Sequence, residues 1–322
     1  MARINTVFIT TALFLLILAS GCSRQETSTN ANLSGDLVIF HAGSLSVPFR
    51  EIADSFMVLN PGIKVKAESA GSLASIRKIT DLKRPCDILA SADYSLIDKL
   101  MIPAFASWNL QFAGNEMVVA YLKESLKSET INQDNWYSLL LDPQIKFGRS
   151  DPDADPCGYR TMLCLKLAEK FYDQPGLASR FGQKDERYIR PKEVDLLALL
   201  ESGTIDYLFI YKSVAIQHKL PYLVLPDSIN LGNPALKDHY SGVEVKVVGN
   251  KPGEYITQPG EPMVYGLTIP DNCGNRPAAE AFVEYMITRG SKIMEKSGQT
   301  NIGPLLTGKR DKLPDNLKLL LK

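Results

Sequence analysis

The chain from residue 37 to residue 101 alternates short apolar runs with amphipathic segments, and few folds accommodate such an alternation. Three of the runs predict strands, namely Leu37–Phe40, Ile63–Ala67 and Asp87–Ala90. Each run is followed by a segment in which apolar residues recur at helical spacing. The order strand, helix, strand, helix, strand, helix is typical of an α/β protein whose sheet is covered by helices on both faces.

The rest of the chain continues this alternation. Further strands are predicted at residues 116–121, 146–148, 206–211, 221–225, 243–248 and 263–269, and further helices at 157–172, 192–202, 278–288 and 291–296. With 322 residues, the chain is long enough for two domains. It has 36 Lys and Arg residues against 36 Asp and Glu residues, and this zero net charge gives no electrostatic reason to expect a nucleic-acid partner.

The N-terminal residues predict export from the cytoplasm. Arg3 precedes an apolar run, Val7–Ala19, and the small residues Ser20 and Gly21 then precede Cys22. A cysteine in this position resembles a bacterial lipobox, so residues 1–21 are interpreted as a signal peptide and Cys22 as the lipidated first residue. Residues 22–35 are polar and are predicted to form a flexible tether, giving a periplasmic or cell-surface protein. An uncleaved anchor helix and a cleaved signal without lipidation are the alternatives.

The remaining cysteines add little to the prediction. Cys86, Cys157, Cys164 and Cys273 could pair in three ways in an oxidising compartment, and the sequence leaves their disulfide state open. Their spacing matches no familiar zinc site. We therefore expect buried free thiols and no cofactor.

A local pattern that occurs twice points to an anion site. Each of two predicted strands runs into a helix through Ala-Gly-Ser-Leu, once at residues 42–45 and once at residues 70–73. Glycine allows close backbone approach, while a helix start offers free N–H groups and serine adds a hydroxyl. Two such turns at one sheet edge would form an anion receptor containing Gly43, Ser44 and Ser72. Alternatively, both serines only cap helices.

Two further segments carry candidate side chains. The loop from Arg149 to Arg160 holds Asp153 and Asp155, and it lacks the glycine and glutamate that an EF-hand requires. Asp155 before Pro156 could also be an N-cap. Likewise, Glu193 at the front of a helix could only complement the helix dipole.

Several phrases of the chain together resemble the tungstate/molybdate-binding proteins of ABC importers. They are His41-Ala-Gly-Ser-Leu45, Ala70-Gly-Ser72, Asp87–Ile97, Asp155–Arg160 and Asp206–Ala215, in this order between about residues 37 and 306. The resemblance implies a type II periplasmic-binding-protein fold, with two α/β lobes joined by two crossing strands and a ligand cleft between them. Residues 36–112 and 269–322 would form lobe 1 and residues 113–268 lobe 2, with residues 116–121 and 263–269 as crossing strands.

The resemblance also implies which residues bind the oxyanion. It assigns Ser44 and Ser72 from the first lobe, Asp155 and Glu193 from the second lobe as ligands of the tungsten or molybdenum atom, and Tyr211 as a further hydrogen-bond donor. Asp153 is the substitute if Asp155 caps the helix. Carboxylates repel sulfate or phosphate, whereas hexavalent tungsten and molybdenum are hard centres that can expand from four ligands to six.

Other functions remain open from the sequence alone. A receptor for sulfate, phosphate or a carboxylate would place Arg or Lys in the cleft, and Arg77, Arg160 and Lys212 are candidates. Ser75-Ile-Arg-Lys78 fits the SxxK pattern of serine acyl-enzymes but lacks the companion motifs, so we expect no enzyme. The expected partners are a molybdate or tungstate ion and an ABC permease, with a monomeric protein held at the membrane by its lipid anchor alone.

Overall fold

The computed structural model describes residues 33–249 and 253–321. Its strands are β1 (Gly35–Ala42), β2 (Ile63–Ala70), β3 (Ile88–Ser91), β4 (Trp108–Gly114), β5 (Met117–Tyr121), β6 (Phe147–Ser150), β7 (Ile189–Arg190), β8 (Tyr207–Tyr211), β9 (Tyr222–Val224), β10 (Glu244–Val248), β11 (Tyr255–Pro259), β12 (Val264–Thr268) and β13 (Thr300–Gly308). The predicted signal peptide, Cys22 and most of the tether lie outside the described residues.

The α-helices follow the strands in alternation over much of the chain. They are α1 (Ser46–Leu59), α2 (Ser72–Thr80), α3 (Tyr94–Leu100), α4 (Trp136–Leu140), α5 (Pro156–Phe171), α6 (Leu177–Gln183), α7 (Leu197–Glu201), α8 (Lys212–Gln217), α9 (Asp227–Asn230), α10 (Lys237–Tyr240), α11 (Arg276–Tyr285), α12 (Ser291–Lys296) and α13 (Asp315–Lys318). None of the helices in the described part of the chain has the length and apolar character needed to span a bilayer.

The strands form two main sheets, and each sheet with its helices is one lobe. In the first lobe the order is β13-β4-β12-β3-β1-β2, with β1 parallel to β2 and β3. In the second lobe the order is β7-β6-β8-β5-β9, with β6 parallel to β7 and β8. A separate antiparallel ribbon pairs β10 with β11. The predicted α/β fold with two lobes is confirmed.

Two segments of the chain connect the sheets, and they lie side by side. It leaves the first sheet after Gly114 and enters the second at Met117, and it returns before Val264. A backbone hydrogen bond from Asn115 to Met263 joins the two passages. Strand β12, which the predicted boundary at residue 268 assigns to the second lobe, instead pairs antiparallel with β3 and β4 of the first.

Apolar side chains at helical spacing determine how the helices pack. In α1, Phe49, Ile52, Ala53 and Phe56 are buried at positions i, i+3, i+4 and i+7, which places them along one face of the helix.

The four described cysteines are free thiols, of which Cys273 alone is half-buried.

The carboxyl ends of the parallel strands bring the candidate segments together. Ala42 at the end of β1 lies opposite Ala70 at the end of β2, so the two Ala-Gly-Ser turns are neighbours. In the second sheet Ser150 at the end of β6 lies opposite Arg190 at the end of β7, so the loops leading to Asp155 and Glu193 are neighbours as well. Ligands of open α/β sheets bind at this edge.

A buried carboxylate connects three parts of the first lobe. Asp87 Oδ2 accepts the backbone N–H of Val38 at 2.7 Å, while Oδ1 accepts those of Gly274 and Asn275 at 2.8 Å each. Asp87 thus fixes β1 and the start of α11 to the segment before β3.

We predict that Asp87→Ala lowers the free energy of unfolding by about 2–4 kcal/mol, because it leaves buried N–H donors unpaired. Urea denaturation measures the loss. The matched control is Asp54→Ala on the exposed side of α1, which should change stability by less than about 0.5 kcal/mol. Equal stability of the two variants would contradict the assigned role of Asp87.

Candidate functional site

Ser44 and Ser72 are buried at the ends of β1 and β2. Ser44 lies inside the 3-10 turn Gly43–Leu45, whose N-cap is Ala42, and Ser72 is the first residue of α2, whose N-cap is Gly71. The alternative that both serines cap helices therefore does not describe the structure. Their hydroxyl groups are available for another role.

A chain of hydrogen bonds fixes the direction in which the Ser44 hydroxyl donates. Asn115 Oδ1 accepts the N–H groups of Glu116 and Ser213, so its Nδ2 donates to Tyr265 Oη at 2.7 Å. Tyr265 in turn donates to Ser44 Oγ at 3.0 Å. Because this oxygen already accepts a hydrogen bond, the Ser44 hydroxyl can donate its own hydrogen bond to another acceptor.

Ser72 and Tyr211 are arranged in the same way. The backbone N–H of Ala92 donates to Ser72 Oγ at 2.9 Å, and Arg160 Nη1 donates to the Tyr211 hydroxyl at 3.4 Å. Neither donor can accept in return. Ser44, Ser72 and Tyr211 are therefore three buried hydroxyls whose protons can be donated to an anion.

Asp155 and Glu193 bring two carboxyl groups together. Asp155 precedes α5 and Glu193 begins the 3-10 turn Glu193–Leu196, and both side chains are fully buried. The backbone N–H of Glu193 donates to Asp155 Oδ2 at 3.1 Å. Counting only the described residues, Asp155 Oδ1 and both Oε atoms of Glu193 receive no hydrogen bond from a donor. Three buried carboxylate oxygens thus remain for a ligand.

Burial raises the pKa of both carboxyl groups. For Glu193, the nearby charge of Asp155 acts in the same direction as burial, and together they bring the pKa well above its ordinary value. For Asp155, burial raises the pKa, although the hydrogen bond from the backbone N–H of Glu193 acts in the opposite direction. Two touching carboxylates repel each other when both are ionised. The pair therefore favours a shared proton or an electron-poor centre bound to its oxygens.

Close approach of the lobes requires the glycines of the two Ala-Gly-Ser turns. A Cβ atom at Gly43 would lie 2.8 and 2.9 Å from the two carboxylate oxygens of Glu193. At Gly71 it would overlap the carbonyl oxygen of Ala154. Glycine at both positions thus allows second-lobe groups to contact the turns of the first lobe.

Asp153 is directed away from this group of residues. Its Oδ1 accepts the backbone N–H of Val248 at 2.8 Å, and its carbonyl oxygen accepts a hydrogen bond from Arg77 Nη1 at 3.3 Å. The structure therefore brings together Gly43, Ser44, Ser72, Asp155, Glu193 and Tyr211 of the predicted set, but not the Asp153 carboxylate.

The basic candidates have protein partners. Arg77 Nη2 donates to the carbonyl oxygens of Val248 and Gly249, and Lys212 pairs with Glu116 at 2.5 Å. Arg160 pairs with Asp93 at 3.4 Å, in addition to its contact with Tyr211.

In the SxxK pattern, the lysine is hydrogen-bonded to a glutamate and not to the serine. Ser75 is buried, whereas Lys78 Nζ donates to Glu68 Oε1 at 2.5 Å and lies over the ring of Phe40.

In the described part of the chain, no group of three or more His, Cys, Asp or Glu side chains could hold a metal ion by itself.

Asn115, Tyr265 and Ala92 also contribute to the site, although the sequence did not predict this role for them. Ala92 bonds Ser72 across 20 positions of the sequence, Asn115 bonds Tyr265 across 150, and Tyr265 bonds Ser44 across 221. No local sequence pattern encodes such contacts. The position of Asn115 directly before a predicted strand was the one available signal.

The comparisons with known proteins agree with this geometry. Residues 37–300 match the family model of bacterial extracellular solute-binding proteins. An uncharacterized solute-binding protein from Petrotoga mobilis is 48% identical over 90% of this chain and 91% of its own length. The molybdate/tungstate-binding protein WtpA from Thermococcus kodakarensis is 37% identical over 92% of both chains.

Solved structures support the same fold. The periplasmic molybdate-binding protein from Azotobacter vinelandii has a TM-score of 0.61 at 17% identity, and the match covers 82% of this chain and 98% of that protein. The family is identified by the matched family model and by the sequence identities of the two relatives. The chain belongs to the bacterial extracellular solute-binding proteins.

Proposed function

We propose that the protein captures molybdate or tungstate outside the cytoplasm and delivers it to an ABC importer. The observation that carries this proposal is the Asp155–Glu193 pair, two buried carboxyl groups with three unbonded oxygens, of which the two of Glu193 lie against the Gly43 turn of the other lobe. The relative from Thermococcus kodakarensis, named as a molybdate/tungstate-binding protein, supports the same cargo.

In this proposal, Asp155 and Glu193 coordinate the metal atom of the oxyanion. Hexavalent tungsten and molybdenum are hard centres, for which carboxylate oxygens are suitable ligands. Coordination would also relieve the repulsion between the two carboxylates, because the electron-poor metal atom takes the place of a shared proton. Ser44, Ser72 and Tyr211 would donate hydrogen bonds to the oxo groups.

A receptor for sulfate or phosphate fits the site less well. Such an anion would meet the carboxylates of Asp155 and Glu193, and its central atom does not add ligands to relieve the repulsion. The cations that could compensate, Arg77, Arg160 and Lys212, are already bonded to protein groups. Selectivity against sulfate would thus come from repulsion by the two carboxyl groups.

The protein would work at the outer surface of a membrane, next to its permease. Cys22 would carry the lipid anchor, and residues 22–35 would tether a monomer within reach of the permease. Closure of the lobe built on β1–β4, β12 and β13 against the lobe built on β5–β9 would be the signal that the permease reads. We propose no catalytic activity.

The first test is calorimetric titration of the soluble form, from Gly35 onward, with tungstate, molybdate and sulfate. We predict tight binding of the first two and none of sulfate. Glu193→Gln should weaken tungstate binding on the order of 100-fold, because truncating a buried charged contact costs ~2–5 kcal/mol. X-ray absorption at the tungsten edge gives the coordination number of the bound ion.

The matched control is Glu201→Gln at the exposed end of α7, which should bind tungstate like the wild type. Equal affinity of the wild type for sulfate would overturn the coordination mechanism and leave a general tetrahedral-anion receptor. Unchanged tungstate affinity in Glu193→Gln would remove this residue from the site.

A second prediction concerns the contact between the lobes. Gly43→Ala should weaken tungstate binding about 100-fold, since its methyl group would occupy the space of the Glu193 carboxylate and one buried contact is worth ~2–5 kcal/mol. The anion-free protein should melt as the wild type does.

The control for this change is Gly182→Ala in α6, where the nearest atom to a Cβ is 3.6 Å away. It should leave tungstate affinity unaltered in the same titration. Wild-type affinity of Gly43→Ala would show that Glu193 does not contact the first-lobe turn in the bound state.

A further inference from the structure

Asp93 and Arg160 are charged residues that the proposed anion contacts do not use, yet both are buried where the lobes meet. Asp93 follows β3 in the first lobe, and its Oδ1 accepts the N–H of Ser95 at 2.8 Å as the N-cap of α3. Arg160 lies in the first turns of α5 in the second lobe. Their side chains are only 11% and 4% exposed, so the pair is shielded from water.

Three polar contacts join the lobes at this point. Arg160 Nη2 lies 3.4 Å from Asp93 Oδ2, and the hydroxyl of Tyr159 donates to the same oxygen at 2.5 Å. Arg160 Nη1 donates to the carbonyl oxygen of Ala92, also at 2.5 Å. Every one of these contacts has one partner in each lobe, so moving the lobes apart breaks all three.

The same groups are bonded to the hydroxyls that are proposed to bind the anion. Ala92 accepts from Arg160 through its carbonyl group and donates to Ser72 through its N–H. Arg160 also donates to Tyr211. The interlobe contacts therefore directly adjoin the groups that are bonded to Ser72 in one lobe and to Tyr211 in the other.

The energetics favour a role in holding the closed form and oppose a role in driving closure. Desolvation of a buried ion pair offsets much of its attraction, so Asp93 and Arg160 alone would not close the lobes without the anion. Once the lobes are closed, loss of one partner leaves the other charge buried and unpaired, which strongly destabilises that form. Contacts of this kind act mainly on the rate of dissociation.

We propose that Asp93, Tyr159 and Arg160 form an interlobe latch that slows release of the bound anion without touching it. They are positioning residues, because they act through the closed arrangement of the lobes and, in the case of Arg160, through Tyr211. The latch rests on the proposed function only in that an anion closes the lobes. The identity of the anion is a separate question.

The test measures the dissociation and association rates of tungstate, molybdate, sulfate and phosphate by stopped-flow fluorescence. Two variants are compared with the wild type. Tyr159→Phe keeps the ring and removes only the interlobe hydroxyl, and Asp93→Asn keeps an N-cap residue but removes the charge. For the anion that binds, we expect dissociation to accelerate about tenfold in Tyr159→Phe and about 100-fold in Asp93→Asn, with association little changed.

The matched control is Tyr207→Phe. Tyr207 is also a buried tyrosine, but its hydroxyl donates to the carbonyl oxygen of Leu126 within the second lobe, at 2.6 Å. This variant should release the anion at the wild-type rate. Melting of the anion-free proteins separates a latch from a general loss of stability, since Tyr159→Phe should melt as the wild type does.

The outcomes distinguish the two proposals. Wild-type dissociation rates in both Tyr159→Phe and Asp93→Asn would overturn the latch and leave molybdate or tungstate binding intact. Faster release of sulfate from these variants, with no tungstate binding, would support the latch and overturn the proposed cargo. Equal acceleration in Tyr207→Phe, or binding of none of the four anions by the wild type, would overturn the latch.

Discussion

A pair of buried carboxyl groups at the interface of the lobes is the constraint on which the site depends. Asp155 and Glu193 lie in neighbouring loops of the second lobe, and Glu193 reaches the backbone of Gly43 in the first. Burial raises the pKa of both groups, and the charge of Asp155 raises that of Glu193 further. Ionising both carboxyl groups is therefore unfavourable unless a positive centre binds their oxygens. In the proposed function the metal atom of the oxyanion is that partner, which makes closure depend on the cargo.

The hydroxyl groups of the site complement this pair because each of them is already an acceptor. Each hydroxyl oxygen accepts a hydrogen bond, Ser44 from Tyr265, Ser72 from Ala92 and Tyr211 from Arg160. All three hydroxyls can therefore donate a hydrogen bond to an anion. Oxo groups accept hydrogen bonds and a hexavalent metal atom accepts carboxylate oxygens. The site therefore offers donors to one part of the oxyanion and ligands to the other.

Much of the fold could be predicted from the sequence, because local patterns encode it. The first three strands and their helices appear where apolar runs and helical spacing indicate them. Strands β4 and β13 and the ribbon partner β11 were not predicted, and β12 was assigned to the other lobe. Strands β4, β12 and β13 pair with distant parts of the chain, and β13 contains Gly303 and Pro304, which weaken a strand pattern. Pairing of this kind is decided by tertiary packing.

The sequence by itself determined the α/β class, the two Ala-Gly-Ser turns and the residue types available for an oxyanion, since short motifs and periodicity carry these features. Resemblance to a known family indicated which of those residues form the site. Only the tertiary structure decided that Asp153 binds the backbone of Val248 and that Arg160 pairs with Asp93. The physical reason is that the partner of a buried polar group is chosen by which chain segments meet, and those segments are far apart in sequence.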